Sequence, residues 1–361
     1  MPGTGIQSTA APIIASSGLG TTVRARVPLR LGLAGGGTDL SPYCDEFGGA
    51  VLNLTIDRYA YATIEPSPDG LVHFIAPDMN VTETFAADLG AIAASRLPLH
   101  AGVMTRMLKD FGGAEVPAIR VTSFVDAPPG SGLGSSSALV VALVEAFRAL
   151  LAAPLGPYDV AHLAFEIERI DLALAGGRQD QYAATFGGVN FIEFHANDRV
   201  IVNPLRVPPG VLNELEISLI TCFSGVTRRS DEIIAEQQRR MVTLADPAIE
   251  GLHQLKRDAV EMKQALLRGE IRHMAALLNH SWEAKKRTAG GISTATIEQL
   301  YRRAFAEGAI GGKVSGAGGG GFMMFIVPPE RRIAVIRGLN ELGGIASGVH
   351  FTQTGAESWS V

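Results

Sequence analysis

Cysteine is scarce in this chain of 361 residues, which contains only Cys44 and Cys222. The two lie far apart in the sequence and fit no metal-ligand spacing. The pattern therefore argues against both a disulfide scaffold and a cysteine-based metal site. We expect two inert packing residues in a protein of the reducing cytoplasm.

Long apolar runs and an excess of positive charge are also missing. No stretch approaches the roughly 18 uninterrupted apolar residues of a membrane span, and the start of the chain lacks a basic segment followed by a hydrophobic one. The net charge is −5, and aromatic residues make up only 6% of the chain. These properties are untypical of nucleic-acid binding, so we expect a small-molecule partner, no nucleic acid and no membrane.

Glycine, in contrast, is abundant and clustered, at residues 33–39 (LAGGGTD), 128–137 (PPGSGLGSSS) and 313–321 (KVSGAGGGG). Only the middle cluster is typical of a phosphate-binding loop. Its glycines let backbone N–H groups approach an anion, and its serines can open a helix whose positive end faces that anion. It lacks the Gly-Lys-Ser/Thr ending of a P-loop, and a flexible turn without a ligand is the alternative. The strand before it, the paired prolines and the apolar helix after it favour an anion loop for a nucleotide phosphate.

Apolar periodicity predicts a mixture of strands and helices. We expect a strand over 23–27 with a loop at Pro28, and a buried helix from about Ser136 to Leu151. Further helices are expected over 158–174, 230–240 and 248–287, and strands over 118–125, 189–194, 215–223 and 321–327. Since 361 residues exceed the usual single core, we expect a flexible tail (1–21), an N-terminal lobe (22–195) and a C-terminal lobe (196–361).

The three glycine clusters resemble, in order and spacing, motifs 1, 2 and 3 of the GHMP kinases, a family that includes galactokinase, homoserine kinase and mevalonate kinase. The resemblance covers nearly the whole chain from Val23 onward. It implies a two-lobed α+β fold, with an N-terminal lobe like domain 2 of ribosomal protein S5, a ferredoxin-like C-terminal lobe and an active site in the cleft between them. It also implies transfer of the γ-phosphoryl group of Mg-ATP to a hydroxyl group.

The resemblance assigns the reacting groups. Asp180 matches the family's general base, although by local sequence alone it could be a hydrogen-bond acceptor in a turn. Arg30 lies where relatives carry a lysine or arginine, and a fixed positive charge there could stabilise the ionised base and the transferring phosphoryl group. A surface arginine at a strand end is the alternative.

The resemblance also assigns the metal and ligand residues. Ser136 matches the metal-side serine, and of the two candidate carboxylates we favour Glu168 over Glu166, because Glu168 lies at the edge of the apolar stripe and at the family's spacing before the aspartate. The nucleotide loop comprises Pro129, Gly130, Ser131, Gly132, Leu133, Gly134, Ser135, Ser136 and Ser137, and the sugar contacts comprise Gly36, Gly37, Thr38, Asp39, Asp180, Gly318, Gly319 and Arg228.

Residues 26–39 most resemble the sugar-kinase branch that contains the D-glycero-D-manno-heptose 7-phosphate kinases, with bacterial L-fucokinase domains close by. This implies phosphorylation of the anomeric hydroxyl to the 1,7-bisphosphate, a step toward nucleotide-heptose for surface polysaccharide. Gly36 and Gly37 stand where galactokinases carry a Glu-His pair, so the sugar contacts must differ from those with galactose. A free-sugar 1-kinase and a non-catalytic sugar and ATP sensor are the alternatives, and a homodimer is compatible with the resemblance.

Two basic clusters, at 228–229 and 285–287, are candidates for binding a phosphate that the sugar already carries. Each could equally be a solvated helix end.

Overall fold

The structure is a computed structural model that describes residues 20–113, 115–226, 230–241 and 247–361, without the side chains of 230–232. Most of the predicted tail, residues 1–19, lies outside the described residues. Within them, the strands in chain order are β1 (Val23–Ala34), β2 (Gly49–Pro66), β3 (Val72–Ala76), β4 (Val81–Phe85), β5 (Ile119–Val125), β6 (Val189–Phe194), β7 (Val200–Pro204), β8 (Leu219–Phe223), β9 (Gly311–Val314), β10 (Phe322–Ile326), β11 (Ile345–Gly348) and β12 (Glu357–Ser360).

These strands form two sheets. The larger has the order β12-β1-β2-β5-β3-β4, with β6 added beside the first half of β2 and β7 beside β6. Its neighbours are antiparallel except for the parallel pair of β3 and β5. The smaller sheet is antiparallel in the order β11-β8-β10-β9.

Helices cover both sheets, and the mixed α+β class expected from the sequence is confirmed. In the part of the chain that the structure describes, no helix combines the length and the apolar character needed to cross a membrane. The helices are α1 (Tyr43–Phe47), α2 (Leu89–Ile92), α3 (Pro98–Met107), α4 (Ser135–Leu150), α5 (Pro157–Phe165), α6 (Gln179–Phe186), α7 (Pro209–Ser218), α8 (Ser230–Met241), α9 (Pro247–Arg268), α10 (Ile271–Lys286), α11 (Ala295–Glu307) and α12 (Arg332–Glu341).

Helix α4 is the central element of the larger layer. Its side chains from Ala138 to Phe147 are all buried, which agrees with the prediction of an apolar helix without a wet face. It packs against β1 and β2, whose inward residues Leu29, Leu31 and Leu54 belong to the same core cluster. A helix held on all sides fixes its N-terminus in space, and that end points to the site described below.

Several predicted elements need correction. The loop expected at Pro28 is wrong, because β1 runs through this residue: Pro28 pairs with Tyr59 and Leu29 with Ile56, so two residues of β2 are skipped there and the irregularity accommodates a residue without an N–H. The helix expected over 248–287 is interrupted at Gly269, which has a φ of 72°. Its two halves are α9 and α10.

Two other predictions were partly right. The strand expected over 215–223 is helix α7 up to Ser218 and strand β8 only from Leu219. The helix expected over 158–174 begins with α5 and continues as a π-helical turn from Glu166 to Asp171.

Two strands that follow residue 195, β7 and β12, join the larger sheet. Helix α9 also packs on β1 and β2, while α10 packs on β9 of the smaller sheet. The chain thus crosses between the two layers more than once, and a division at 195/196 stays a prediction.

Candidate active site

A cavity of about 600 Å³ lies where the three glycine clusters meet. Gly36, Gly132 and Gly316, one from each cluster, line it. The first and third clusters begin 280 residues apart in the chain, and the fold brings all three to one place. The cavity is therefore the candidate active site.

The middle cluster forms a loop that ends at the N-terminus of α4. Gly134 precedes the helix with a φ of 74°, and Ser135, Ser136 and Ser137 form the first turn and line the cavity. The first N–H groups of a helix have no partner within it, so this end presents donors and positive potential to the cavity. This arrangement suits a phosphate group.

The third cluster packs directly on the middle one. The backbone N–H of Phe322 donates to the Ser131 carbonyl at 2.8 Å, and the Ser315 hydroxyl donates to the Gly132 carbonyl at 2.9 Å. A Cβ on Gly132, which has a φ of 79°, would lie 2.5 Å from the Ser315 carbonyl oxygen. These glycines permit a backbone contact between the two layers, which no larger residue would allow.

The third cluster reaches the cavity through Lys313, Gly316 and Ala317. Gly318 and Gly319, which were predicted to contact the sugar, pack against Ile292: the Gly319 N–H donates to its carbonyl at 2.7 Å. Of the other predicted loop residues, Ser131 and Leu133 are buried and Pro129 is exposed, and none of the three is in the cavity wall.

Glu168 is joined to the first turn of α4. Its Oε1 accepts a hydrogen bond from the Ser136 hydroxyl at 2.8 Å, and its Oε2 accepts one from the Ser137 hydroxyl at 2.7 Å. The Gln181 amide donates to Oε2 at 2.7 Å, and the Arg169 guanidinium lies 3.3 Å from Oε1. Glu168 is only 1% exposed, and the π-helical turn that carries it bulges at this point.

Glu166 lies elsewhere. Its carboxylate forms ion pairs with Arg106 at 2.7 Å and with His162 at 3.5 Å, and its side chain is 29% exposed. The structure thus brings Glu168, and not Glu166, to Ser136.

Asp180 and Arg30 form a buried ion pair at the centre of the cavity wall. The Arg30 Nε and Nη2 lie 2.8 and 2.6 Å from Asp180 Oδ1, and Arg30 Nη1 donates to the Gly132 carbonyl at 2.6 Å. Arg30 is 4% exposed, which excludes the surface arginine considered from the sequence. Among the described residues nothing donates to Asp180 Oδ2, so one carboxylate oxygen is available for a ligand.

The first cluster is tied to the start of α6 through Asp39. Its Oδ1 accepts from the Gly37 N–H at 3.1 Å and from the Gln179 amide at 3.0 Å, and its Oδ2 accepts from the Gln179 N–H at 3.1 Å. Gly36 and Gly37 line the cavity beside it. The Thr38 hydroxyl is buried and bonded to the backbone of Gly35 and Ala50, so this predicted contact residue shapes the loop instead.

Sequence reasoning missed several residues of the cavity wall. Arg169, Gln179, Gln237 and Lys313 line it without having been singled out, and Lys285 had been considered only as part of a basic cluster. Gln179 and Lys313 lie next to Asp180 and at the start of the third cluster, but the sequence does not show which way their side chains point. Arg169 and Gln237 belong to no spacing pattern that could have revealed them. The predicted Arg228 lies outside the described residues.

A divalent cation would find hard oxygen donors at one point of the cavity. The Ser136 hydroxyl and Glu168 carboxylate are adjacent, and Mg²⁺ prefers such donors while keeping several waters and substrate phosphates as ligands. Among the described residues no group of three or more His, Cys, Asp or Glu side chains could hold a metal ion by itself. The donor set thus fits a metal that arrives with a phosphate-bearing ligand.

Comparison with known proteins decides the family. The sequence profile of the GHMP kinases N terminal domain matches residues 98–188, and that of the GHMP kinases C terminal domain matches residues 262–345. The chain is 41% identical over 340 residues to the D-glycero-alpha-D-manno-heptose 7-phosphate kinase of Campylobacter jejuni, covering 94% of this chain and 99% of that protein. This chain is a GHMP kinase. It is a phosphotransferase that acts on a sugar hydroxyl, and enzymes of this family use ATP, generally with Mg²⁺.

Solved structures of other GHMP kinases share the fold. A structure described as a D-glycero-D-manno-heptose 1-phosphate kinase from Bacteroides thetaiotaomicron superposes with a TM-score of 0.80 at 40% identity, covering 94% of this chain and 99% of that one. The galactokinase of Lactococcus lactis superposes with a TM-score of 0.73 at 19% identity, covering 93% and 95%. The second likeness concerns the fold alone, and together they confirm the two-lobed architecture of this GHMP kinase.

A bifunctional L-fucokinase/L-fucose-1-P guanylyltransferase of Bacteroides fragilis is 26% identical over 342 residues. The match covers 87% of this chain but only 35% of that longer protein.

Proposed function

We propose that this GHMP kinase transfers the γ-phosphoryl group of Mg-ATP to the anomeric hydroxyl of D-glycero-D-manno-heptose 7-phosphate, giving the 1,7-bisphosphate. The product would lead to nucleotide-heptose and surface polysaccharide. The observation that carries the proposal is the end-to-end similarity to a heptose 7-phosphate kinase. It is supported by the convergence of Asp180, Arg30, Ser136 and Glu168 on one cavity.

In this proposal Asp180 accepts the proton of the acceptor hydroxyl as that oxygen attacks the γ-phosphorus and the bond from the γ-phosphorus to the β,γ-bridging oxygen breaks, which releases ADP. The ion pair with Arg30 orients the carboxylate through Oδ1 and leaves Oδ2 for the hydroxyl. The Arg30 contact to the Gly132 carbonyl also holds this pair beside the nucleotide loop. The general base and the phosphate loop are therefore held at a fixed distance from each other. Such positioning is a large part of what a protein contributes to phosphoryl transfer.

The N-terminal turn of α4 would hold the nucleotide phosphates through its free N–H groups. Ser136 and Glu168 would hold Mg²⁺, which when bound neutralises charge on the β- and γ-phosphates. Gln181 and Arg169 orient Glu168 from behind.

On the acceptor side, Gly36, Gly37 and Asp39 line the cavity next to Asp180. Gly36 and Gly37 carry no side chain, and the groups nearest to them belong to Lys285, Gln179, Leu252 and Gln237, so these side chains would face the acceptor. The contacts predicted for Gly318, Gly319 and Arg228 stay predictions.

The test is ADP release with Mg-ATP and a set of acceptors: heptose 7-phosphate, mannose 6-phosphate, free mannose, L-fucose, galactose and mevalonate. We expect a kcat/KM for heptose 7-phosphate at least about 100-fold above that for any free sugar, because a site that binds a polar group discriminates strongly against ligands without it. Equal or faster turnover of a free sugar would overturn the proposal.

The similarity to the fucokinase portion of a bifunctional enzyme supports one other candidate, an L-fucokinase-like kinase of free sugars. The same set of acceptors separates the two, since this candidate predicts that L-fucose is the preferred acceptor and that a phosphate on the sugar gives no advantage.

A further inference from the structure

Two lysine side chains contact the backbone at the end of β1 and in the first glycine cluster. Lys285, near the end of α10, donates to the Gly36 carbonyl at 3.3 Å. Lys313, on β9, donates to the carbonyls of Gly32 and Leu33 at 2.9 and 3.1 Å. Each is 4% exposed, and each contributes to the cavity wall.

Neither ammonium group has a carboxylate within ion-pair distance among the described residues. The adjacent Lys286, in contrast, pairs with Glu283 at 2.6 Å on the outer face of α10. Burial lowers the pKa of Lys285 to about 8 and that of Lys313 to about 7. Nearby positive charges lower both pKa values further, while Asp39 and Asp180 raise that of Lys285 and Asp258 raises that of Lys313. A buried cation without a counter-ion is costly and gains most from an anion supplied by a ligand.

Lys285 has donors to spare. An ammonium group carries three N–H donors, and the hydrogen bond to Gly36 uses one of them at a long distance. Lys313 uses two donors on the carbonyls at the end of β1, so it anchors that strand and adds positive charge behind Lys285. Lys285 is therefore the better ligand of the pair.

The position of Lys285 separates it from the nucleotide loop. Its partner Gly36 lies beside Asp39 and Gln179, and a Cβ on Gly36 would lie 3.6 Å from the Lys285 Nζ and 3.8 Å from the Gln179 amide nitrogen. Arg30 contacts both Asp180 and the Gly132 carbonyl of the nucleotide loop, whereas Lys285 contacts the first glycine cluster. An anion at Lys285 would therefore lie on the acceptor's side of Asp180.

We propose that Lys285, supported by Lys313, forms a subsite for a phosphate group that the acceptor already carries. The inference rests on the proposed function and adds to it a residue that selects phosphorylated over free sugars. It commits to the phosphate of the acceptor; the phosphates of ATP would be the other source of the same chemistry.

The experiment compares wild type, K285M and the matched control K286M, each with heptose 7-phosphate, with the same heptose lacking the phosphate, and with varied ATP. We expect K285M to raise the KM for heptose 7-phosphate about 10- to 100-fold, as for loss of a charge-assisted hydrogen bond, with the KM values for ATP and for the unphosphorylated heptose within about twofold of wild type. K286M should behave as wild type throughout.

An equal rise in the KM values for both acceptors would overturn the inference, because Lys285 would then bind the sugar itself. A rise confined to the KM for ATP would also overturn it and would assign Lys285 to the nucleotide. If wild type does not phosphorylate heptose 7-phosphate at all, the proposed function fails first. If both wild type and K285M prefer heptose 7-phosphate to the unphosphorylated heptose, the subsite is refuted while the proposed function stands. If K285M does not fold, K285Q takes its place and should lose the preference for the phosphorylated acceptor, and a K285Q variant that keeps the preference would refute the subsite.

Discussion

Asp180 is the residue on which the proposed chemistry depends. It is held by Arg30 through one oxygen and faces the cavity with the other. Replacement by Asn keeps the shape and removes the ability to take a proton. We expect D180N to lower kcat by about 10²- to 10⁴-fold, the usual contribution of a general base, while the Kd for ATP measured by calorimetry stays within about threefold. Turnover near that of wild type would remove Asp180 from this role.

Glu168 and Glu166 provide a matched pair for the metal site, since only Glu168 contacts Ser136. We expect E168Q to raise the Mg²⁺ concentration for half-maximal activity at least about tenfold, because a neutral amide is a poorer ligand for a hard cation. E166Q should leave the Mg²⁺ titration unchanged. If E166Q and not E168Q raised the Mg²⁺ requirement, Glu166 would be the metal ligand and Glu168 would not.

The buried lysines link stability to pH. Burial lowers the pKa of Lys285 from 10.5 to about 8 and that of Lys313 from 10.5 to about 7. The charged groups that face Lys285 are Asp39, Arg30 and Asp180, and those that face Lys313 are Lys285, Arg30 and Asp258. Between these values and pH 10.5 the unfolded chain binds more protons than the folded one, so these groups make stability rise with pH in that window. Below about pH 7 the cost of burying both charges is present in full.

Removing one of these charges should therefore stabilise the unliganded protein at neutral pH. We expect K285M to be more stable than wild type by roughly 2–4 kcal/mol at pH 6.5 and the difference to shrink as the pH approaches 10. Urea unfolding of both proteins at several pH values measures this. A constant difference over this range would mean that Lys285 has the same pKa in the folded and the unfolded protein, so that burial does not disfavour its charge.

At the scale of elements, the contact between the middle and third glycine clusters sets the spacing of the two layers. In G132A the new Cβ would meet the Ser315 carbonyl at 2.5 Å, at a residue whose φ of 79° already disfavours alanine. We expect the loop to shift and the Kd for ATP to rise about tenfold or more, since a phosphate loop acts through backbone positions. Gly210 has open space at its Cβ position and no positive φ, so G210A is the control and should bind ATP as wild type does. Unchanged ATP binding by G132A would show that this contact does not position the loop.

The elements that the sequence predicts well are those with a local signal. Helix α4 is apolar on every face and follows a glycine, and its bounds were expected within one residue. The π-helical turn at Glu166 has no such signal, because an amphipathic pattern is the same whether one residue bulges or not. The strand through Pro28 was not predicted, because the irregularity that accommodates the proline lies in the neighbouring strand β2, where two residues are skipped in the pairing.

At the scale of the whole molecule, the site residues divide in the same way. Asp180, Glu168 and the serines of the middle cluster lie in motifs and could be found in the sequence. Lys285 lies in a basic cluster and Lys313 begins the third glycine cluster, but their burial beside residues some 250 to 280 positions earlier in the chain could not be found in the sequence. Gly318 and Gly319 belong to a motif yet serve its packing on Ile292, which the motif alone does not reveal.

The proposed function specifies which hydroxyl of which sugar receives the phosphate. The most direct measurement is the phosphorus NMR spectrum, with coupling to protons, of the product formed from heptose 7-phosphate and Mg-ATP. We predict one new sugar-phosphate signal coupled to the anomeric proton, alongside the unchanged signal of the original phosphate. A new phosphate signal coupled to any other proton would contradict the proposed function. The absence of a new sugar phosphate from a protein that binds ATP would contradict it as well.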